Sequence, residues 1–156
     1  MELDETDVKI LQNLLSYARL SNRQIARNIR VAVGTVIARI RKMEQEGIIK
    51  GYSAILDLEK LGYDLTAITE ITVSKGKLLE VEQEIAKIPN VCAVYDVTGL
   101  TDAMVIVKSK NRKELSDFVK TILAMPFVER TNTHVVLTTV KEDYRGFVNE
   151  TSHGSN

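Results

Sequence analysis

Cysteine is almost missing from this chain: the single thiol, Cys92, excludes an internal disulfide. Lying among apolar residues in a strand-like stretch, it is expected to be buried and inert. There are only two prolines and two histidines, His134 and, in the tail, His153, and no metal site is expected from them. With 44% hydrophobic and 27% charged residues, the composition is that of a globular chain and not a disordered one. No apolar run approaches the roughly 18 residues that a bilayer span requires. The start, Met1-Glu2-Leu3-Asp4-Glu5, lacks the basic-then-apolar order of a secretory leader, and a cytoplasmic location is expected. There is no Gly-rich phosphate loop, no Cys/His cluster and no nucleophile beside an evident base. The expectation is therefore a protein that is not an enzyme and holds no cofactor.

Net charge is missing too, with 21 basic against 21 acidic residues and a pI near 6.7. Taken whole, that argues against a nucleic-acid partner. The average conceals a split. Between Asp7 and Glu44 no acidic residue occurs, yet Lys9, Arg19, Arg23, Arg27, Arg30, Arg39, Arg41 and Lys42 all fall there. Residues 1–50 hold nine basic and six acidic residues, a net +3, and residues 51–156 a net −3. Such asymmetry points one end of the chain at a polyanion and not the other.

The first fifty residues carry three helical periods. Val8, Leu11 and Leu15, with Ile10 and Leu14, form one apolar stripe behind the acids Asp4, Glu5 and Asp7, which favour a helix N-terminus. Ser21-Asn22-Arg23-Gln24 has the form of a capping box and predicts a second helix over about 22–29, with Ile25, Ala26 and Ile29 buried. A short connection through Arg30, Val31 and Ala32 leads to a third stripe, Val36, Ile40 and Met43 with Ile37 beside them, ended by Gly47. Ile48 to Ile55 is then expected to leave as a wing-like strand.

A small bundle with a solvated charged face fits these signals as well as a DNA reader does. The outer face of the third helix favours the reader. It shows Gly34, Thr35, Ala38, Arg39, Arg41 and Lys42, small residues near the N-terminus and cations after them. A recognition helix needs that order, because its start approaches base edges closely while flanking cations engage phosphates. Ser21, Asn22 and Arg23 at the second helix start, and Lys50 after the third, complete the expected contact set.

Leu3-Asp4-Glu5, Asp7, Ile10-Leu11, the segment 21–26 and the run from Arg39 to Tyr52 closely resemble the N-terminal domain of the leucine-responsive, or Lrp/AsnC, regulators. Two positions depart from that family: Arg30 stands where glycine is common in the turn, and Ala32 where serine is common before the third helix. A left-handed Arg30 costs on the order of 1 kcal/mol, and Ala32 has no side-chain oxygen to cap with.

After a linker strand and hinge over 51–64, the periodicity changes. A strand over 65–73, a helix over 77–88, strands over 91–97 and 103–108, a helix over 111–124 and a last strand over about 129–140 give the order βαββαβ. The helix exits Lys87-Ile88-Pro89-Asn90-Val91 and Ala124-Met125-Pro126-Phe127-Val128 read as two copies of one unit. The expected fold is α+β, a winged helix-turn-helix followed by a ferredoxin-like domain of the RAM/ACT type over 65–145, with a disordered tail over 146–156. Two helices cover one face of such a sheet, yet Ala103–Val107 is apolar on both sides. The second face is expected to pack on another subunit.

The resemblance covers residues 3–148. It implies an effector domain that binds an amino acid between subunits and assembles dimers into octamers or similar rings. Thr98-Gly99-Leu100-Thr101-Asp102 stands at the family's Gly-x-x-Asp loop, and Thr131 and Thr133 at the facing start of the last strand; Asp117 is a further candidate for the ligand's amino group. An amino acid needs acceptors for its ammonium and donors for its carboxylate. Asp102, the two loop hydroxyls and the backbone at Gly99 offer both. The function expected is a sequence-specific regulator on double-stranded DNA whose binding or assembly answers to an amino acid. The alternative is an architectural DNA protein of little sequence preference.

Overall fold

The computed structural model describes residues 2–148. It divides into two compact units, one of residues 2–55 together with 141–148 and one of residues 56–140.

The N-terminal unit holds α1 (Glu5–Ser16), α2 (Asn22–Ile29) and α3 (Val33–Gln45). Ile10, Ile25, Ala26, Val36 and Met43 are its buried core, one or two from each helix at the apolar positions of its stripe. Asp4 and Asp7 cap α1 reciprocally, as Ser21 and Gln24 cap α2. Ile37, counted with the buried stripe of α3, is instead exposed.

The turn into α3 takes the strained form that its sequence implies. Arg30 is left-handed at φ 58° and ψ 47°, and Ala32 caps α3 without a side-chain hydrogen bond. Arg30→Gly is expected to raise stability by about 1 kcal/mol by relieving the Cβ clash, or a few degrees of melting midpoint. A lower midpoint in a thermal melt would show that the arginine side chain outweighs the strain.

The strand expected over 48–55 does not form. The chain passes Gly47 at φ 71°, tucks Ile49 against the helical core and runs on without regular secondary structure, paired with no strand among the described residues. Tyr52 ties it back to α3 by donating to Glu44 Oε1 at 2.9 Å, and burial together with that carboxylate pushes its hydroxyl up to about 12. Residues 141–148, expected to divide between the second domain and a tail, join the N-terminal unit. A 3-10 turn, Arg145–Val148, sits against α1, where Gln12 Nε2 donates to Val148 O at 3.1 Å. The remaining tail, 149–156, lies outside the described residues.

In the C-terminal unit β1 (Leu65–Val73), α4 (Leu78–Ile85), β2 (Val91–Asp96), β3 (Ala103–Ser109), α5 (Arg112–Leu123) and β4 (Val128–Val135) form one antiparallel sheet in the order β2-β3-β1-β4. Alternate residues Ala67, Thr69, Ile71 and Val73 of β1 and Ala103, Val105 and Val107 of β3 are buried, and they pack with Val81, Ile85, Leu115, Phe118 and Ile122 of the helices. The opposite face keeps Ile68, Met104 and Ile106 only half-buried.

Two boundaries and one burial differ from expectation, each for a local reason. α4 is shorter than 77–88 because Lys87 and Ile88 donate three residues back, tightening the last turn ahead of Pro89. β4 stops well before residue 140, since its neighbour β1 runs out: Val136 N donates to Thr66 O at 2.8 Å, and Leu137 beyond is 97% exposed. Cys92 is exposed, not buried, because the β2–β3 register shifts between Val91 and Ala93 and drops it out of the alternation.

Candidate nucleic-acid interface and ligand cleft

On α3 the helical repeat of about 100° per residue gathers Gly34, Thr35, Ala38, Arg41 and Lys42 on the side away from the buried Val36 and Met43. Gly34, Ala38, Arg41 and Lys42 are exposed and Thr35 is half-buried. Nothing lies within 4 Å of the place where a Cβ on Gly34 would stand, so this end of the helix is open to a close approach. Neither Arg41 nor Lys42 has an ion-pair partner among the described residues. At the start of α2, Ser21 accepts from Gln24 N at 3.2 Å and is occupied as a cap, while Asn22 and Arg23 stand exposed beside it. Lys50 is exposed as well.

Arg39 is a correction. It lies about 140° around the helix from Gly34, at the border of the buried stripe, and its guanidinium turns inward to α1. Nη1 reaches Asp4 Oδ2 at 2.5 Å and Asp7 Oδ2 at 3.1 Å. Asp7 is fully buried, and its Oδ1 accepts no hydrogen bond. The backbone N–H of Asp7, together with Arg39, holds the Asp4 carboxyl below its usual range, and the two acids in turn raise Arg39. Arg39 is thus a clamp between α1 and α3, not part of the outward cationic face.

In the C-terminal unit the loop 97–102 closes on the end of β1. Thr101 Oγ1 donates to Ile71 O at 2.9 Å, and Asp102 Oδ2 accepts from Val73 N at 2.8 Å, capping an amide that the ladder leaves without a partner strand. Gly99 holds φ 130°, a conformation that side chains rarely adopt, with Thr98 and a fully exposed Leu100 on either side. The candidate residues Thr98 to Asp102 are therefore together, but two of them already work in holding the loop.

The last-strand candidates point elsewhere. Thr133 shares a hydroxyl contact of 3.1 Å with the buried Thr69, and Thr131 pairs with Ile71, which places both on the helix-covered face. Asp117 is on α5, bound by Lys113 Nζ at 2.7 Å, which lowers its pKa. Facing the loop on the open side are Thr72, Glu70, Arg130 and Asn132, which line a cleft of about 160 Å³ with Leu100 and Thr101. Sequence reasoning missed these four because only the β1–β4 register, Glu70 against Asn132 and Thr72 against Arg130, brings them to one face. Asn132 Nδ2 donates to Glu70 Oε2 at 2.8 Å and His134 Nε2 lies 3.3 Å from the same oxygen, and these bonds hold the Glu70 carboxyl below its ordinary pKa.

Among the described residues no group of His, Cys, Asp and Glu could hold a metal ion, and no helix is long and apolar enough to cross a membrane. Residues 3–50 match the winged helix-turn-helix DNA-binding family, and residues 66–146 match the Lrp/AsnC ligand binding domain. An uncharacterised HTH-type transcriptional regulator of Pyrococcus abyssi is 50% identical over 143 residues, 92% of this chain and 97% of that protein. The HTH-type transcriptional regulator FL11 of Pyrococcus horikoshii is 40% identical, over 90% of this chain and 93% of its own length. Among solved structures, a Neisseria meningitidis transcriptional regulator in complex with L-Met aligns at a TM-score of 0.86 with 27% identity, covering 95% of this chain and 98% of that one. LrpC of Bacillus subtilis aligns at 0.82 with 29% identity, covering 92% and 100%. A helix-turn-helix with an open outer face and a ferredoxin-like sheet with a cleft at one end thus occur in the order that these relatives share, and the chain belongs to the Lrp/AsnC family of transcriptional regulators.

Proposed function

We propose that this regulator reads a specific DNA site in the cytoplasm with α3, as a homodimer that assembles further toward an octamer, and that an amino acid bound between subunits of the C-terminal domain modulates its DNA binding or assembly. It carries out no catalysis and needs no cofactor. The carrying observation is the open sheet face. The stripe Ile68, Met104 and Ile106 is half-exposed there, an apolar surface suited to a second copy, and the polar cleft at its rim would then lie beside a subunit junction. Two joined recognition helices would read half-sites about one helical turn apart. The L-Met complex of the Neisseria relative supports an amino acid as the effector class.

Calorimetry against the twenty protein amino acids tests the sensor, on protein shown by light scattering to be at least dimeric. Binding below millimolar by one or a few of them is expected, and none at millimolar concentration would sink the effector role. A specific regulator also prefers its site about 10³-fold or more over random DNA; a preference under tenfold would transfer the protein to the architectural reading.

A further inference from the structure

We propose that Arg130 and Glu70 are the two charged groups that grip the effector, Arg130 its α-carboxylate and Glu70 its α-ammonium, while Asp102 serves to hold the loop. This rests on the reading of the C-terminal domain as an amino-acid sensor, and it assigns the charges differently from what the loop sequence suggests. Asp102 is the obvious counter-charge for an ammonium, yet one of its oxygens is committed to Val73 N. Asp117, the other acid expected there, is on α5 and paired with Lys113. Glu70 is the carboxylate that faces the cleft.

The geometry suits a ligand of both signs. In the β1–β4 ladder Glu70 pairs with Asn132 and Thr72 with Arg130, so Glu70 and Arg130 are diagonal neighbours on one face, within roughly 7 to 8 Å of each other. That is close enough to hold an ammonium and a carboxylate carried on the same carbon. Glu70 is pre-set: Asn132 and His134 both bind Oε2, leaving Oε1 without a hydrogen bond among the described residues. Arg130 is exposed and makes neither a hydrogen bond nor an ion pair within the described chain. Arg130 acts on Glu70 only through space, without a hydrogen bond or ion pair between them, so the guanidinium and Glu70 Oε1 stay open to a zwitterion, and the guanidinium fork matches a carboxylate in two bonds. The cleft of about 160 Å³ is below the roughly 300 to 1,000 Å³ of drug-sized sites. It takes the common head of an amino acid and lets the side chain run out past Leu100, which is 100% exposed.

The test is calorimetry of the full chain and of its Glu70→Gln and Arg130→Met variants, each confirmed folded by its melting midpoint. The probes are the twenty protein amino acids and, for those that bind, the matching des-amino acid and the decarboxylated amine. Each variant is expected to weaken amino-acid binding about ten- to hundredfold, the loss of one charge-assisted contact. Glu70→Gln should erase the preference for the amino acid over its des-amino form and keep the preference over the amine. Arg130→Met should do the reverse. Unchanged affinity in both variants, or equal weakening toward all three forms, overturns the assignment and leaves the sensor reading standing. Failure of the parent chain to bind any amino acid overturns both.

Discussion

Replacing Arg41 and Lys42 together by alanine is expected to cost about 1 to 3 kcal/mol of DNA-binding free energy for each side chain, or one to four orders of magnitude in all. Both are exposed on α3 and have no partner among the described residues, so their removal leaves no buried group unpaired and should not move the melting midpoint. Two losses are distinguishable in a titration against a site selected from a random duplex pool. If both cations meet phosphates, the slope of log affinity against log salt falls by about 2, and random DNA weakens in parallel. If one of them reads a base edge, the selected site weakens more than random DNA does. Unchanged affinity would mean that this face of α3 does not enter the groove.

Asp7→Ala is expected to destabilise the N-terminal unit by roughly 2 kcal/mol, because the Asp4 amide loses its acceptor and a buried ion contact disappears. For a domain of this size that is a fall in melting midpoint on the order of 10 °C. Arg39→Ala should lower the midpoint further, since it leaves Asp7 as a buried carboxylate without its cation, the more costly half of such a pair to strand. Removing both charges in Asp7→Leu/Arg39→Met should recover much of the loss. DNA affinity in the double variant decides what Arg39 does. Recovery along with stability marks a clamp, and loss despite stability marks a direct contact. The same cluster makes stability depend on acid in one direction. The Asp4 carboxyl is depressed by the Asp7 amide and by Arg39, so its contribution is complete above the unfolded value of 3.8 and disappears as pH falls through the lower folded value.

How far the sequence could be read depended on whether a signal was local. α2 runs over Asn22–Ile29 as the Ser21/Gln24 box and its apolar positions imply, and β1 over Leu65–Val73, because caps and alternation act within a few residues. Arg39 looked like its neighbours Arg41 and Lys42, and only the packing of α1 across α3 shows that it faces two acids. The cleft was half legible. Glycine at position 99 and the polar loop were visible, but which last-strand residues face that loop depends on a register fixed more than sixty residues away. Thr131 and Thr133 have the opposite parity to Arg130 and Asn132, which puts them on the helix-covered face and not on the face of the cleft. The segment 48–55 failed for another reason: its residues suit a strand, but a strand needs a neighbour, and the described chain offers none.

The contact between Gln12 and Val148 joins residues 136 positions apart, whereas the helix-to-helix contacts of the same unit join residues within about one third of the chain. During synthesis from the ribosome, α1 to α3 have all their mutual partners once about fifty residues have emerged. β1 must wait for both Ala103 and Val135, so the sheet is the slow, high-contact-order step. The 3-10 turn docks on α1 only after every strand has been made. The first domain to fold is therefore the last to be finished, and a chain cut short before residue 141 carries a DNA-reading unit without its closing lock.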